Sequence, residues 1–298
     1  MVEAVGVGLS VLAALALGAT SILVRLGTQE GRSRDVVMYT FGMNLLLAVP
    51  VTVVYHYPDY GLTWEAVGAF SLAGLTGTLC GRVLFYRSIQ EIGASRTEPV
   101  KATQPLHAAV VAAVVLGEAL TASNLLGIAL IIAGLAVVSR EIVTSEESLV
   151  DVSPVMLVVP LGAAFFFGIE PTFAKLGFAE GTPVLVGLVV KVGAAALGMV
   201  LYLRYRGITV LPSPSALEPS ARKWILLAGV TNTSFLFAYY AALAVSPVVM
   251  VVPVVQMSPL VVAVLSLLFL PRVEQVTAKL VGAAGIIVAG GIIVTLTS

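Results

Sequence analysis

Charged residues are scarce in this sequence. They make up 11% of the 298 residues, whereas 59% are hydrophobic and the mean hydropathy is +1.05. Soluble domains have roughly a quarter of their residues charged, so this chain has too few charges to cover a surface in water. The scarcity excludes a water-soluble globular protein and indicates that lipid is the solvent.

Residues that build disulfides and metal centres are also nearly absent. Cys80 is the single cysteine, and His56 and His107 are the two histidines. One cysteine excludes an internal disulfide and a cysteine-based zinc site, and two histidines are too few for a histidine-rich cluster. The formal net charge of zero offers no basic surface to nucleic acid. We therefore predict no metal and no nucleic-acid partner.

Catalytic motifs are missing as well. The sequence has no Gly-x-Ser-x-Gly, no phosphate-binding Walker loop and no His-Glu-x-x-His. A membrane-embedded lipid-modifying or hydrolytic enzyme is the alternative, and its acid–base set would have to come from Arg82, Glu98, Lys101 and His107. His107 lies about 180° round the helix from Glu98. We predict that the protein is not an enzyme and has no catalytic residue and no cofactor.

What the sequence does contain is a series of long apolar runs without the alternation of a β-barrel. In lipid each backbone amide must be paired within the protein, so such runs predict helices. Ten transmembrane helices are expected, at roughly 4–28, 36–56, 64–90, 94–117, 121–140, 153–178, 183–205, 221–244, 247–270 and 275–296. The first segment carries Glu3 and no basic start, so we interpret it as a span and not as a cleaved signal peptide.

The chain also repeats itself. The stretch GATSILVRLG begins at Gly18, and GIEPTFAKLG begins at Gly168, 150 positions later. Tyr86, Pro99 and Pro105 return 154 positions later as Tyr240, Pro253 and Pro259. Two five-helix repeats are predicted, over 1–145 and 146–298, and an odd number of helices makes the second repeat run in the opposite sense. The predicted fold is an all-α polytopic membrane protein with inverted repeats.

Three segments carry a family resemblance: GATSILVRLG, LFYRSIQEIGASRTEPVKATQPL and LGEALTASNLLGIALIIAG, with their echoes in the second half. They resemble the EamA-type carriers of the drug/metabolite transporter superfamily. The resemblance implies a central cavity lined mainly by helices 1, 3, 4, 6, 8 and 9, and export or exchange of small metabolites such as amino acids, or of toxic organic solutes. The sequence departs from the pattern at Pro271-Arg272, where Gly-Glu is expected, and at Arg82, whose counterpart is Leu236.

Ionisable residues within the predicted spans point to a candidate site, because each costs about 2.5–3.5 kcal/mol to insert at membrane depth. Arg82 lies on one stripe with Tyr86, and Glu98 and Lys101 share a face of the next helix. This patch has one more cation than anion. Glu98 either neutralises a cation and ties the two helices together, or leaves a surplus cation for an anionic group of the substrate; the two interpretations are compatible.

A second pair of opposite charges, Glu170 and Lys191, lies at one depth on the sixth and seventh helices. A buried salt bridge is the simpler interpretation. The alternative is that Glu170 binds a coupling proton, which requires the pair to separate during transport.

The second half offers mostly neutral hydrogen-bonding groups opposite the charged patch. The predicted substrate-binding set is Arg82, Tyr86, Glu98, Lys101, Gln104, Asn232, Tyr239, Tyr240, Gln256 and Ser258. Prolines remove backbone donors and free carbonyls, so the two repeat-related pairs in the fourth and ninth helices predict gating bends. These prolines are Pro99, Pro105, Pro253 and Pro259.

Together these features predict a secondary transporter of small polar metabolites such as amino acids, working by alternating access; a passive channel fits the inverted repeat less well. Expected partners are the small-molecule substrate, membrane lipid, and a coupling proton or counter-substrate, with a monomer or weak homodimer as the assembly. Twelve cations flank the odd-numbered loops against one on the other side, which predicts a plasma-membrane protein with both termini outside. The family resemblance implies cytoplasmic termini instead.

Overall fold

The structure, a computed structural model, describes residues 2–29, 32–101, 103–144, 158–210 and 219–269, and a few residues between 282 and 293. In these residues the regular structure is helical, with no strand. The helices are α1 (Val2–Thr28), α2 (Ser33–His56), α3 (Trp64–Ala73), α4 (Arg82–Ile92), α5 (Ala94–Lys101), α6 (Gln104–Leu116), α7 (Ala122–Thr144), α8 (Val158–Ala179), α9 (Val184–Tyr205), α10 (Pro219–Val245), α11 (Val248–Val255) and α12 (Ser258–Phe269).

The outer surface is apolar and the interior holds polar groups. Trp64 is 87% exposed and Val114 is 80% exposed, whereas Arg82, Lys101 and Lys191 are each at most 4% exposed. Five helical segments of the described chain are long and apolar enough to cross a membrane: Ala4–Thr28, Ser33–His56, Trp64–Ile92, Val184–Tyr205 and Ala221–Val245. Although much of the interior is apolar too, such a large apolar surface differs from that of a water-soluble domain. The chain is an all-α multi-pass membrane protein.

The third span differs from the regular helix that the sequence predicts. It runs without interruption from α3 to α4 through a π-helical segment, Gly74–Gly81. Three glycines in this segment face the neighbouring helices. A Cβ atom at Gly77 would collide with the carboxylate of Glu170 on α8, and one at Gly74 with the carbonyl of Lys191 on α9. The missing side chains let three spans approach closely around two buried charges.

The fourth and ninth spans are each divided into two helices. The first break lies between α5 and α6, and the second at Gln256 and Met257, between α11 and α12. Pro105 stands in the first turn of α6, where a missing N–H costs nothing, and cannot donate to the carbonyl of Lys101. Pro253 lies inside α11. The side chains of Pro99 and Pro259 lie outside the described part, so their roles stay predictions.

The predicted tenth span, 275–296, falls largely outside the described residues, although those described between 282 and 293 are helical. Residues 145–157, which contain the predicted boundary between the repeats at 145 and 146, are also outside the description. The division into 1–145 and 146–298 therefore stays a prediction.

Helices of one half pack against helices of the other, and this explains the repeated glycine. α1 packs on α10 and α12, while α8 packs on α3, α4 and α6. A Cβ atom at Gly18 would lie 3.0 Å from the carbonyl oxygen of Ser258, at the start of α12. One at Gly168 would lie 3.2 Å from that of Gln104, at the start of α6. Each glycine admits the broken span of the opposite half.

Candidate functional site

A cavity opens between the two halves, beside the two helix breaks. The volume that the centre of a water molecule can occupy inside it is about 40 Å³. One water needs about 10–15 Å³ on this scale, so the cavity is narrow and can hold only a few waters. Its lining residues are Leu17, Arg82, Phe85, Tyr86, Lys101, Gln104, Phe167, Glu170, Lys191, Asn232, Phe235, Leu236, Tyr239 and Val255.

The predicted site residues are distributed unevenly around this cavity. Those that line it are Arg82, Tyr86, Lys101, Gln104, Glu170, Lys191, Asn232 and Tyr239. Tyr240, Gln256 and Ser258 are buried but do not line it. The side chain of Glu98 lies outside the described part of the chain.

Four pairs of lining residues occupy equivalent places in the two repeats. Leu17 and Phe167 are 150 positions apart, which is the spacing of the repeated glycines. The other three pairs are 154 positions apart: Arg82 with Leu236, Phe85 with Tyr239, and Lys101 with Val255. The cavity is therefore built from the same positions of both repeats, but the first repeat places a cation where the second places an apolar side chain.

Arg82 is buried at the end of the π-helical segment and has neutral neighbours. Its Nη1 donates to Asn232 Oδ1 at 2.8 Å, and its guanidinium lies 5.5 Å from the centre of the Phe41 ring. Asn44 also belongs to this group. In the amide orientation that gives both its oxygen and its nitrogen a hydrogen-bond partner, its oxygen accepts from Arg82 Nη1 at 3.2 Å. The nitrogen of Asn44 then donates to Thr233 at 2.8 Å. Within the described chain, no carboxylate lies within ion-pair distance of Arg82.

Lys101 closes the same side of the cavity at the end of α5. It is 2% exposed, and its Nζ lies 4.9 Å from the centre of the Phe85 ring, a cation–π contact. Because α5 ends here, the Lys101 side chain stands at the helix break and not in the middle of a continuous span.

Glu170 and Lys191 form a buried ion pair between α8 and α9. Tyr240 supports the pair from α10: its hydroxyl donates to Glu170 Oε1 at 3.0 Å, and its ring lies 4.1 Å from Lys191 Nζ. Glu170 Oε1 thus accepts from both neighbours. Among the described lining residues, Glu170 is the one carboxylate, and it is already partnered.

A glutamine pair connects the two helix breaks. Gln256 Nε2 donates to Gln104 Oε1 at 2.7 Å, and Gln104 Nε2 donates to the carbonyl of Phe167 at 3.2 Å. Two buried polar atoms beside the second helix break, Gln256 Oε1 and Ser258 Oγ, have no hydrogen-bond partner within the described chain. The Tyr239 hydroxyl in the cavity lining has none either. Unpaired buried polar atoms are uncommon in proteins, so this region is suited to changing its hydrogen bonds.

Glu118 makes a second connection between the fourth and ninth spans. Its two carboxylate oxygens accept from the backbone N–H groups of Val248 and Val249, each at 3.1 Å. A carboxylate at a helix N-terminus pairs free N–H groups and favours the helix dipole. Sequence reasoning recognised the Gly-Glu-x-Leu-Thr motif around Glu118 but not this cap. The counterpart, Glu274, lies outside the described residues.

Sequence reasoning also missed Asn44 and the apolar residues that line the cavity. Asn44 carries a detectable signal, because an amide inside the apolar second helix needs a partner. Phe85, Phe167 and Phe235 line the cavity but carry no such signal, since aromatic residues in a membrane helix usually face lipid or neighbouring helices. Within the described chain, no group of three or more acidic, histidine or cysteine side chains could hold a metal ion.

Comparisons with known proteins agree with this architecture. The model of the EamA-like transporter family matches twice, over residues 4–140 and 154–296. An uncharacterized transporter of Synechocystis sp. is 30% identical over 102 residues, which are 34% of this chain and 31% of that protein. A protein of known crystal structure superposes with a TM-score of 0.73 over 98% of this chain and 96% of its own, at 16% identity, and therefore has the same fold. Because the family model covers both halves, the chain belongs to the EamA-like transporter family.

Proposed function

We propose that this protein is a secondary transporter of small polar metabolites such as amino acids, and not an enzyme. It acts in the plasma membrane, with both termini outside, as an exporter or exchanger. The observation that carries the proposal is the pair of helix breaks at equivalent places in the two repeats, joined across the cavity by Gln104 and Gln256. Broken helices at a repeat interface are typical of sites that open to each side of the membrane in turn.

The small volume of the cavity favours alternating access over a passive channel. A space that takes a few waters cannot admit a metabolite without movement of its walls. The unpaired Gln256 oxygen and the single Gln104–Gln256 bond offer a region that can rearrange at low cost. We therefore propose that the described conformation is a narrow state and that the two halves move to widen the cavity.

We further propose that transport is coupled to proton movement through Glu170 if its ion pair opens. Glu170 is held by Lys191 and Tyr240 in this conformation. Coupling through Glu170 requires the ion pair to open during transport, because Lys191 and Tyr240 occupy the carboxylate in this conformation. If the pair stays closed throughout, exchange of one metabolite for another remains the route that the site supports.

Counterflow into proteoliposomes tests the function. Purified protein should exchange at least one labelled solute from a panel of amino acids, organic acids and organic amines without ATP, and protein-free liposomes should not. Failure of the whole panel, with folded protein in the membrane, would contradict the transport proposal. Comparing the metabolites released by expressing and non-expressing cells then selects the physiological solute from candidates outside the panel.

A further inference from the structure

This inference rests on the proposed transport function and narrows its substrate class to organic anions, which replace amino acids as the favoured example. We propose that the cavity binds an organic anion without an ammonium group, whose carboxylate pairs with Arg82. The apolar body of the solute lies among Phe85, Phe167, Phe235 and Tyr239. A branched-chain 2-oxo acid has this chemistry.

The first step is the state of Arg82. Its side chain is 4% exposed, and its contacts are an amide oxygen, a phenylalanine ring and the neighbouring Asn44. All three are neutral. A buried charge is costly unless it is paired and hydrogen-bonded, and a guanidinium has five N–H donors that fit a carboxylate in bidentate geometry. The neutral contacts hold Arg82 in place and leave its charge for a ligand.

The second step is the net charge of the described lining of the cavity. Its described lining contains three cations, Arg82, Lys101 and Lys191, and one carboxylate, Glu170. Glu98 precedes Lys101 by one helical turn in the sequence, and a pair between these two would still leave Arg82 as the surplus cation. A positively charged cavity attracts an anion and repels an organic amine.

The third step concerns an ammonium group. An amino acid needs an acidic or carbonyl partner for its amine as well as a cation for its carboxylate. Glu170 is the one described carboxylate of the lining, and it already pairs with Lys191 and accepts from Tyr240. Among the described lining residues there is therefore a cation for a carboxylate but no free carboxylate for an ammonium group. The unpaired Gln256 Oε1 is a neutral acceptor and a weaker partner for an ammonium group than a carboxylate, so an anion is favoured over the corresponding zwitterion.

The fourth step is the apolar body. Phe85 and Phe167 form an edge-to-face pair with ring centres 5.8 Å apart. Phe235 and Tyr239 are stacked, with ring centres 5.4 Å apart and planes 17° from parallel. These rings give the cavity apolar walls that suit an aliphatic or aromatic group and offer no hydrogen bonds to a sugar or another polyol.

Three solutes with one aliphatic group but different charge test the inference in proteoliposomes at neutral pH. They are 4-methyl-2-oxopentanoate, an anion; L-leucine, a zwitterion; and 3-methylbutan-1-amine, a cation. The expected order of protein-dependent counterflow is anion, then zwitterion, with the amine slowest. Leucine moving as fast as the oxo acid, or the amine moving fastest, would overturn the inference. If all three fail while another solute of the panel moves, the inference is wrong and the transport function stands.

Variants of Arg82 provide the second arm, and Arg87 on the same helix provides a matched control because its side chain is 60% exposed. Arg82→Gln should weaken 4-methyl-2-oxopentanoate transport roughly tenfold to a hundredfold, and Arg82→Lys should retain part of it. Arg87→Gln should behave as the wild type. The oxo acid should raise the thermal unfolding midpoint of the wild type but not that of Arg82→Gln. Wild-type KM in a folded Arg82→Gln protein would place the carboxylate elsewhere and overturn the inference.

Discussion

The two repeats of this protein share a scaffold but not a chemistry. Each contributes a glycine that admits the other repeat's broken span, at Gly18 and Gly168. At the cavity, however, the first repeat has Arg82 and Lys101 where the second repeat has Leu236 and Val255 at the equivalent positions. Packing constrains both copies alike, because each first helix must approach the opposite half closely. The side chains that point into the cavity are free of that constraint and have diverged.

The two repeats also differ in the contact partners of their buried charged side chains. The second repeat neutralises its own: Glu170 and Lys191 pair with each other, and Tyr240 supports them. In the first repeat, Arg82 contacts neutral groups that include Asn232 from the opposite half. The second repeat therefore contains an ion pair that is neutral as a whole, Glu170 with Lys191, which we call the closed unit, whereas Arg82 of the first repeat has no ion-pair partner among the described residues. Under the proposed transport function, the shared scaffold serves the movement of the two halves, and the unlike lining residues serve recognition of the solute.

The largest effect should come from opening the closed unit. Glu170→Gln leaves the Lys191 ammonium buried without its partner, and breaking a buried pair from one side costs about 3–5 kcal/mol. We expect a large drop in the thermal unfolding midpoint of the purified protein. The double variant Glu170→Gln/Lys191→Met should recover most of the loss, because it removes both charges.

The exposed pair Arg87–Glu91 is the control for this experiment. Its side chains are 60% and 33% exposed, and surface pairs of this kind contribute no more than about 0.5 kcal/mol. Glu91→Gln should leave the midpoint nearly unchanged. If Glu170→Gln is equally harmless, the pair does not act as a closed unit and the contrast between the repeats is lost.

A smaller loss of stability should follow from filling either repeated glycine. A side chain at Gly18 would meet Val261 within 2.6 Å, and one at Gly168 would meet the Cβ of His107 within 2.5 Å. Overpacking of this kind costs about 1–3 kcal/mol, so Gly18→Leu and Gly168→Leu should lower the unfolding midpoint by similar amounts. Gly8→Leu on α1 is the control, since nothing lies within 4 Å of its Cβ position. A strongly unequal effect would show that the scaffold is less symmetric than its contacts.

The sequence predicts the scaffold better than the chemistry, and the reason is physical. Apolar runs and prolines locate spans and bends, because each depends on the solvation or the N–H groups of its own segment. The partner of a side chain depends instead on the relative rotation of two helices. Asn232 was placed opposite Arg82, but its direct bond to Arg82 and the part of Asn44 could not be predicted.

The π-helical segment shows the same limit. Gly74, Gly77 and Gly81 are visible in the sequence, but glycine occurs in membrane helices for several reasons. The structure shows the reason here: Lys191, Glu170 and Phe167 approach these three positions too closely for a side chain. The position of Arg82 directly after this segment could not be predicted from regular helical periodicity, which assumes one repeat throughout the span.

The bond between the two helix breaks should have a modest effect on stability. Gln104→Ala and Gln256→Ala each remove one partner of the 2.7 Å bond, and a neutral hydrogen bond contributes about 0.5–1.5 kcal/mol. In a double-mutant cycle on unfolding free energy, we expect a coupling of about 1 kcal/mol. A cycle of Gln104→Ala with Ser234→Ala, which has an exposed side chain bonded within its own helix, should be additive. Additivity in both cycles would mean that the breaks are not joined by this bond.

The smallest perturbation tests the inversion itself, because it adds one exposed cysteine and should leave stability unchanged. Gln29 follows α1 and Glu180 follows α8, so the two residues occupy equivalent loops of the two repeats, and both are exposed. In an inverted repeat, equivalent loops lie on opposite sides of the membrane. The cations Arg25, Arg32 and Arg34 near the first loop predict that Gln29 is cytoplasmic.

In a Cys80→Ser background, an impermeant thiol reagent added to intact cells should therefore label Glu180→Cys and spare Gln29→Cys, and lysed cells should label both. The reverse pattern would keep the inversion but place the termini in the cytoplasm, as the family resemblance implies. Labelling of both positions in intact cells would contradict the inversion, and the two repeats would then have to be related by rotation about the membrane normal.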